Sequence, residues 1–569
     1  MVSMQQLQKL DLGPVKSAGD GWGRLMNELE AGRDTADRRL LAPLHGTWQG
    51  KDAEAAFQRL TRLSRNFEYG MAESGDVRTL LASMSAELGA QQKSLQQALG
   101  EAAGLGFTVS PDGRLGYPAS PPMRHGGTAT GAGGLPLGAQ GGDNRARAQA
   151  IADQIRRAVT RATAIDERYA AALARLAAAP DLRVTARTWL DARNDGRLVA
   201  GLADTGLRLR LPDGKDPKKT AEWWRGLTPE QRQEYITAHP DEIGALDGLP
   251  ADVRDQANRL VLQETHADVQ QRLNAMGKPP EQFLSGPTGP VTNPLYQIWK
   301  DEHDRLAGQL KGMDAIQTNL DMAGQKNLPE GYLLGFDTRG NGHAIVARGN
   351  PDTAAHTAVY VPGTYANLAG METGLHRGND LWLTSNQMSK GESVSTITWL
   401  GYDAPQSIPL EAPFRHYADE GAPLLNHFVD GTRTAHQGGT AHLTMIGHSY
   451  GSTVIGSAAV HGHLGADDII FAGSPGVEAG RASELGIGDD HVYTDRAPGD
   501  PVPYGGNHTE LPGRFLGMAS VPGDPGFGGR RLDYGMEGKG LNPATAHTSY
   551  FDKNSTSLRN MAKVVTGIQ

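Results

Sequence analysis

The sequence contains no cysteine, which excludes disulfides, cysteine nucleophiles, iron–sulfur clusters and thiolate-bound metals together. The compartment stays open, because chains without cysteine occur in the cytosol and also among exported bacterial proteins. No stretch approaches the ~18–20 uninterrupted apolar residues of a membrane span. Met1 to Gly13 lacks the apolar core of a secretory signal. Neither a membrane span nor a cleavable leader is therefore expected, and the localisation reads as cytoplasmic or secreted without one. The 55 basic and 64 acidic residues leave a net charge of −9 with no polybasic run, so no nucleic-acid partner is expected. Aromatic residues are scarce at 6 %, while glycine supplies 74 of 569 positions. Part of the chain must then be linker or glycine-rich loop, and this length predicts three or four structural units of roughly 150 residues.

Residues 1–112 carry apolar positions at helical spacing. Ala53, Ala56, Phe57, Leu60 and Leu63, then Leu80, Leu81, Met84 and Leu88, predict an antiparallel helical hairpin. Between its helices falls Gly46-Thr47-Trp48-Gln49-Gly50, in which a glycine can take the positive φ of a tight turn. This Trp-x-Gly turn resembles that of the small helical substrates of type VII secretion. The resemblance implies a helical protein partner or secretion machinery. A tryptophan packed at an ordinary helix–helix turn is the alternative. Tyr69 and Glu73 match the loose export signal of that system but fall inside the second helix pattern.

Residues 113–144 are dominated by Gly, Pro and Ala and read as a linker. Residues 145–330 predict a helical region. Ile151, Ile155, Val159 and Ala162 share one face of its first helix, and Thr228-Pro229 and Pro250 mark later helix starts. Trp223-Trp224 and Arg254-Asp255 read as buried packing and structural ion pairing. Over residues 331–569 the texture changes to short apolar runs bounded by Gly, Pro, Asn or Asp: 332–336, 344–347, 358–361, 395–401, 443–446, 469–472 and 492–494. Several are separated by helix-length segments. That pattern predicts an α/β fold, a mostly parallel sheet with helices on both faces and with its chemistry at the strand ends.

The run His442 to Ile446 leads into Gly447-His448-Ser449-Tyr450-Gly451, followed by a helical stretch. A G-x-S-x-G between strand and helix is a nucleophile elbow, whose glycines avoid collision at a sharp turn and whose serine stands alone at the sheet edge. A serine hydroxyl needs an imidazole to take its proton and a carboxylate to orient that imidazole, in the chain order Ser, acid, His. Asp495 and Asp500 both follow the last apolar run, and Asp500, further past its end, is favoured as the acid. His508 follows too closely to complete another strand, which makes His547 the favoured base. His448 is expected to pack the elbow, and His461 and His463 to be surface residues. The oxyanion hole maps to the amides of Tyr450 and of Thr364, directly after Pro362-Gly363.

Together with Trp399 to Pro405, Gly473-Ser474-Pro475-Gly476, Asp500-Pro501-Val502 and His547 to Phe551, these motifs resemble the actinobacterial α/β-hydrolase family long labelled only a domain of unknown function. Trp223-Trp224 and the stretch Asp247 to Arg259 resemble the helical segment that commonly precedes it, and the likeness covers roughly residues 220–560. It implies the α/β-hydrolase fold and a catalytic triad carried by Ser449, Asp500 and His547. Asp403 is expected either to line the site or to cap a loop. Asp337, Asn341 and Gly342 form only a fragment of a calcium loop, so no metal and no cofactor are expected. The reading is a serine hydrolase of small acyl esters or lipids. The rival is a secretion-linked interaction protein whose hydrolase domain is an inactive scaffold. A segment between Tyr504 and Pro543, with Leu511, Phe515, Leu516, Met518 and Phe527, is expected to cover the site or to be plain surface loop.

Overall fold

The computed structural model describes residues 2–45, 47–117, 140–177, 183–286, 289–408, 410–505, 521–535 and 542–568. Two compact units divide the chain. One comprises Met1–Leu29, Gly70–Leu182 and Asn194–Arg210, the other Glu30–Tyr69, Arg183–Arg193 and Leu211–Gln569.

The first unit draws on four helices, α1 (Gly13–Asp34), α2 (Lys51–Gly104), α3 (Gln140–Arg175) and α4 (Ala186–Gly206). Helices α1 and α2 run antiparallel: Gly19 faces Leu81, Gly23 faces Arg78 and Leu29 faces Gly70. The missing side chains let the two helices approach closely. Trp48 and Gly50, in the turn before α2, fall in Glu30–Tyr69 of the second unit, with Gly50 at φ +106° and Trp48 41 % exposed. Leu80, Leu88 and Leu95 of α2 bury against Ile151, Ile155, Ala162 and Tyr169 of α3. Of the expected linker, residues 118–139 lie outside the described residues. Leu115–Gly116 pairs with Thr108–Val109 as a short ribbon, and α3 already begins at Gln140.

The second unit is built on an eight-stranded sheet. Its strands are β1 (Gly331–Asp337), β2 (His343–Arg348), β3 (His356–Val361), β4 (Val394–Leu400), β5 (His442–His448), β6 (Asp468–Ala472), β7 (Val492–Asp495) and β8 (Arg530–Arg531). Their order in space is β1-β2-β4-β3-β5-β6-β7-β8, with β2 antiparallel to both its neighbours and every pair from β4 to β8 parallel. Helices α5 (Ala251–Ala275), α6 (Pro294–Leu320), α7 (Met371–Met388), α8 (His416–Ala435), α9 (Tyr450–His461) and α10 (Thr556–Val565) cover it.

Alternation along the central strands decides which layer each residue feeds. Val359, Val361, Leu443, Met445, Ile469 and Phe471 pack with α8 and α9. Ala358, Tyr360, Ile446, Ile470 and Ala472 pack with Leu381 of α7 and with α10. From β3 the chain goes to β4 on one side and later to β5 on the other, so the order reverses there. In open parallel sheets the crevice at such a point, beyond the carboxyl ends of the strands, is where ligands bind.

Within the segment expected either to cover the site or to be plain surface loop, Phe527 needs correction. Phe527 is 1 % exposed and packs edge-on against Phe471 in the core, and Arg530–Arg531 adds strand β8 beside β7. Within 521–535, Phe527 is thus core and Arg530–Arg531 an edge strand. Leu511, Phe515, Leu516 and Met518 lie outside the described residues, as does His508. The ion pairing around Arg254 and Asp255 also differs from the adjacent pair noted in the sequence. Arg254 holds Asp247 at 2.6 Å, and Asp255 holds Arg259 at 2.7 Å. Neighbours on a helix point about 100° apart, whereas residues four apart share a face.

Candidate active site

Strand β5 ends at His448, and Ser449 takes φ 54°, ψ −129° before α9 begins at Tyr450. That backbone conformation is disfavoured for a side chain and marks a strained turn. It is held by the Ser449 amide donating to Ala472 O at 3.0 Å, at the end of β6. The glycines of the elbow are there for space. A Cβ on Gly447 would lie 2.7 Å from Ser452 Cα, and one on Gly451 2.1 Å from Val361 O of β3.

Asp500 is completely buried and accepts from three directions. His547 Nδ1 lies 3.0 Å from each carboxylate oxygen, the Tyr550 hydroxyl donates to Oδ2 at 2.6 Å and the Val502 amide to Oδ1 at 2.9 Å. With Nδ1–H bound to a carboxylate, the Nε2 of His547 carries the lone pair, the tautomer a general base requires. Gly473, next after Ala472, lies beside this pair, since a Cβ there would fall 2.9 Å from Asp500 Oδ2 and 3.2 Å from His547 Cε1. Ser449 is thus bonded to Ala472, and the Asp500–His547 pair lies beside Gly473, the next residue.

His448 is the bridge between them. Its Nε2 donates to His547 O at 2.8 Å and its ring centroid is 4.9 Å from that of His547. A carbonyl only accepts, so His448 carries its proton on Nε2. Burial pushes its pKa well below the ordinary range, which keeps the ring neutral beside His547.

The turn after β3 lies against the serine. A Cβ on Gly363 would come within 2.7 Å of both Ser449 Cβ and Tyr450 N. The Ala366 amide closes the turn onto Gly363 O, and the Tyr365 amide donates to Pro405 O at 2.7 Å. Neither bond consumes the amide of Thr364. Tyr402 buttresses the turn through its hydroxyl on Pro362 O at 2.8 Å.

Other residues singled out in the sequence have different roles. Asp495 is buried with Oδ2 accepting from Ser557 at 2.5 Å, and desolvation pushes its pKa up to about 7. Asp403 caps the turn before β2, accepting from the Asn341 amide at 2.7 Å. Asp337 is tied to His343 and Arg339. Trp224 is buried, with Trp223 and the Arg232 guanidinium against it. His461, at the exposed end of α9, pairs with Glu478. Sequence reasoning quoted Tyr550 and Gly473 within motifs but gave neither a role at the site. Tyr550 stands three residues after His547 in a helical stretch, a spacing that puts both on one face and was the available signal.

A family described as alpha/beta hydrolase matches residues 337–509. That stretch includes Thr364, Ser449, Tyr450 and Asp500 and ends before His547. The uncharacterized protein Rv2079 of Mycobacterium tuberculosis is 31 % identical over 389 residues, which cover 63 % of this chain and 56 % of the relative. The uncharacterized protein Mb0988c of Mycobacterium bovis is 27 % identical over 206 residues, covering 34 % of this chain and 73 % of the relative. The chain thus spans little more than half the length of the longer relative. Strand order, elbow and family match together define an α/β-hydrolase domain in the C-terminal part, preceded by a helical region.

Proposed function

We propose that the protein is a serine hydrolase of acyl esters, with Ser449 as nucleophile, His547 as general base and Asp500 as its orienting acid. The observation that carries this reading is the buried Asp500–His547 pair beside a strained serine elbow. Ser449 Oγ attacks the acyl carbonyl while His547 Nε2 takes its proton. The Tyr450 and Thr364 amides receive the oxyanion, and the protonated imidazole then hands its proton to the leaving alcohol. Water, activated by the same imidazole, releases the acid from the acyl-enzyme. Besides the water, the sequence of steps draws on side chains and backbone amides.

Apolar residues around the oxyanion turn favour an acyl substrate. Tyr365, Ile408, Leu410 and Phe414 are exposed, the Ile408 amide donates to the Tyr365 hydroxyl, and Phe414 O accepts from Tyr450. Exposed apolar groups gathered at a site mouth suit a hydrocarbon chain. Fluorophosphonate labelling tests the proposal: wild-type protein should label and Ser449→Ala should not, with unfolding midpoints equal. Equal labelling of both, or a folded wild type that never labels, would refute it.

The secretion-linked reading draws on the exposed Trp48 beside Gly50 in the turn between two antiparallel helices. On this reading the hairpin offers its turn to a helical partner or to an export machinery. Expressing the full chain and Trp48→Ala in an actinobacterial host should give less of the variant in the culture filtrate. Identical partitioning of the two would remove the export role.

A further inference from the structure

Asp419 on the first turn of α8, His461 at the end of α9 and Glu478 in the loop after β6 each present a ligand atom, all within 4.8 Å of one another. They belong to neither the triad nor the oxyanion turn. His461 Nε2 and Glu478 Oε2 are 3.0 Å apart. The Glu478 side chain is only 5 % exposed, and its Oε1 is buried without a hydrogen-bond partner among the described residues. A buried carboxylate oxygen without a donor is costly, and a bound cation is one way to satisfy it. The backbone leaves Glu478 little freedom to escape. Thr453 donates to Gly476 O at 2.9 Å, and Val477 O lies against Gly456 so closely that a Cβ there would fall 2.1 Å from it.

We propose that Asp419, His461 and Glu478 bind a divalent transition cation of the zinc type. One imidazole nitrogen and two carboxylate oxygens are the donor set such ions accept, whereas calcium and magnesium prefer oxygen alone. With metal–ligand bonds of roughly 2.0–2.2 Å, two donors on one ion stand about 3–3.5 Å apart. The His461–Glu478 pair already has that spacing, and a rotamer change of the exposed Asp419 closes the rest. Asp419 and His461 also line a surface cleft of about 510 Å³ with Asn426 and His463, which leaves room for water on the remaining coordination positions. Arg415, whose Nε lies 3.0 Å from Asp419 Oδ2, competes with the ion. The ion ties the start of α8, the end of α9 and the loop after β6 into one unit beneath the elbow. Tyr450, the first residue of α9, is already bonded to Phe414 just ahead of α8.

Isothermal titration of the tag-free full chain, stripped with chelator, tests this with Zn²⁺ as the probe. One saturable site of micromolar or tighter Kd is expected, together with a rise in Tm. His461→Gln and Glu478→Gln should each weaken binding at least tenfold, His463→Gln should leave it unchanged, and Arg415→Met should tighten it several-fold. Ca²⁺ and Mg²⁺ should give no saturable heat. Absence of a saturable Zn²⁺ site, or equal affinity in the exposed-side variant His461→Gln, would overturn the proposal.

Discussion

Replacing Tyr550 with phenylalanine removes one oxygen atom and two hydrogen bonds. The hydroxyl donates to Asp500 Oδ2 at 2.6 Å and accepts from the Ala497 amide at 2.9 Å, and the ring around it is fully buried. A hydrogen bond to a charged group is worth roughly 1.5–3 kcal/mol, and a stranded buried amide costs roughly 1–3 kcal/mol. Tyr550→Phe should therefore destabilise the hydrolase unit by about 3 kcal/mol. At roughly 2–4 °C per kcal/mol, that lowers its Tm by about 6–12 °C. Asp500 keeps His547 and Val502, so the base remains oriented. Catalysis should fall only about tenfold, the equivalent of ~1.4 kcal/mol in the transition state. Thermal unfolding and hydrolysis of p-nitrophenyl butyrate measure the two effects separately. Unchanged Tm with full activity would show that the hydroxyl is not engaged as described. Abolished activity with wild-type Tm would make Tyr550 a reacting group and refute the supporting role argued for it.

Two further substitutions probe the elbow and its surroundings. Gly363→Ala should cut kcat at least 100-fold on the same ester, because the new methyl would stand 2.7 Å from Ser449 Cβ and Tyr450 N, where the oxyanion must fit; a loss below fivefold would place the oxyanion elsewhere. Asp495→Asn should leave kcat within twofold, since its carboxylate faces Ser557 and not the base. The same variant should also flatten the pH profile of stability. A buried carboxyl raised from 3.8 to about 7 binds its proton more tightly folded than unfolded, so it costs stability as pH rises from about 4 to 7. Wild type and variant should match at pH 4 and differ by a few kcal/mol, in the variant's favour, at pH 8. Chemical denaturation at the two pH values checks this, and parallel profiles would refute it.

How far the sequence could be read depended on where the information sat. Strands β3 to β7 announce themselves as apolar runs because both faces of a covered parallel sheet are buried, and the antiparallel, partly exposed β1 and β2 show shorter ones. Strand β8 has no such run. Arg530–Arg531 joins the sheet only as an edge, and edges tolerate charge, so a segment rich in Gly and Pro hid both a strand and the core residue Phe527. At the site, the order Ser449, Asp500, His547 could be proposed from the sequence because the chemistry restricts residue types, and of it the structure brings His547 onto Asp500. The contacts of Tyr550, Gly473 and His448 were less so, being set by packing between segments far apart in the chain. The choice between Asp403 as site residue and as loop cap also needed coordinates, since it turns on one bond to the Asn341 amide.

On the proposed mechanism, the wide separation of Thr364, Ser449, Asp500 and His547 along the chain bears on when activity can begin. Each sits at the carboxyl end of a different strand or in a segment packed against one, so no local stretch assembles the site. Contacts of such long sequence separation close late in folding, after the loops between them have given up their entropy. A ribosome-bound chain displaying the elbow but not yet residue 547 holds a serine with no base. The hydrolase domain should stay silent throughout its own synthesis and acquire reactivity in one step, when the C-terminal segment docks against β5 and β6. Reactivity toward a fluorophosphonate thus doubles as a reporter of completed folding.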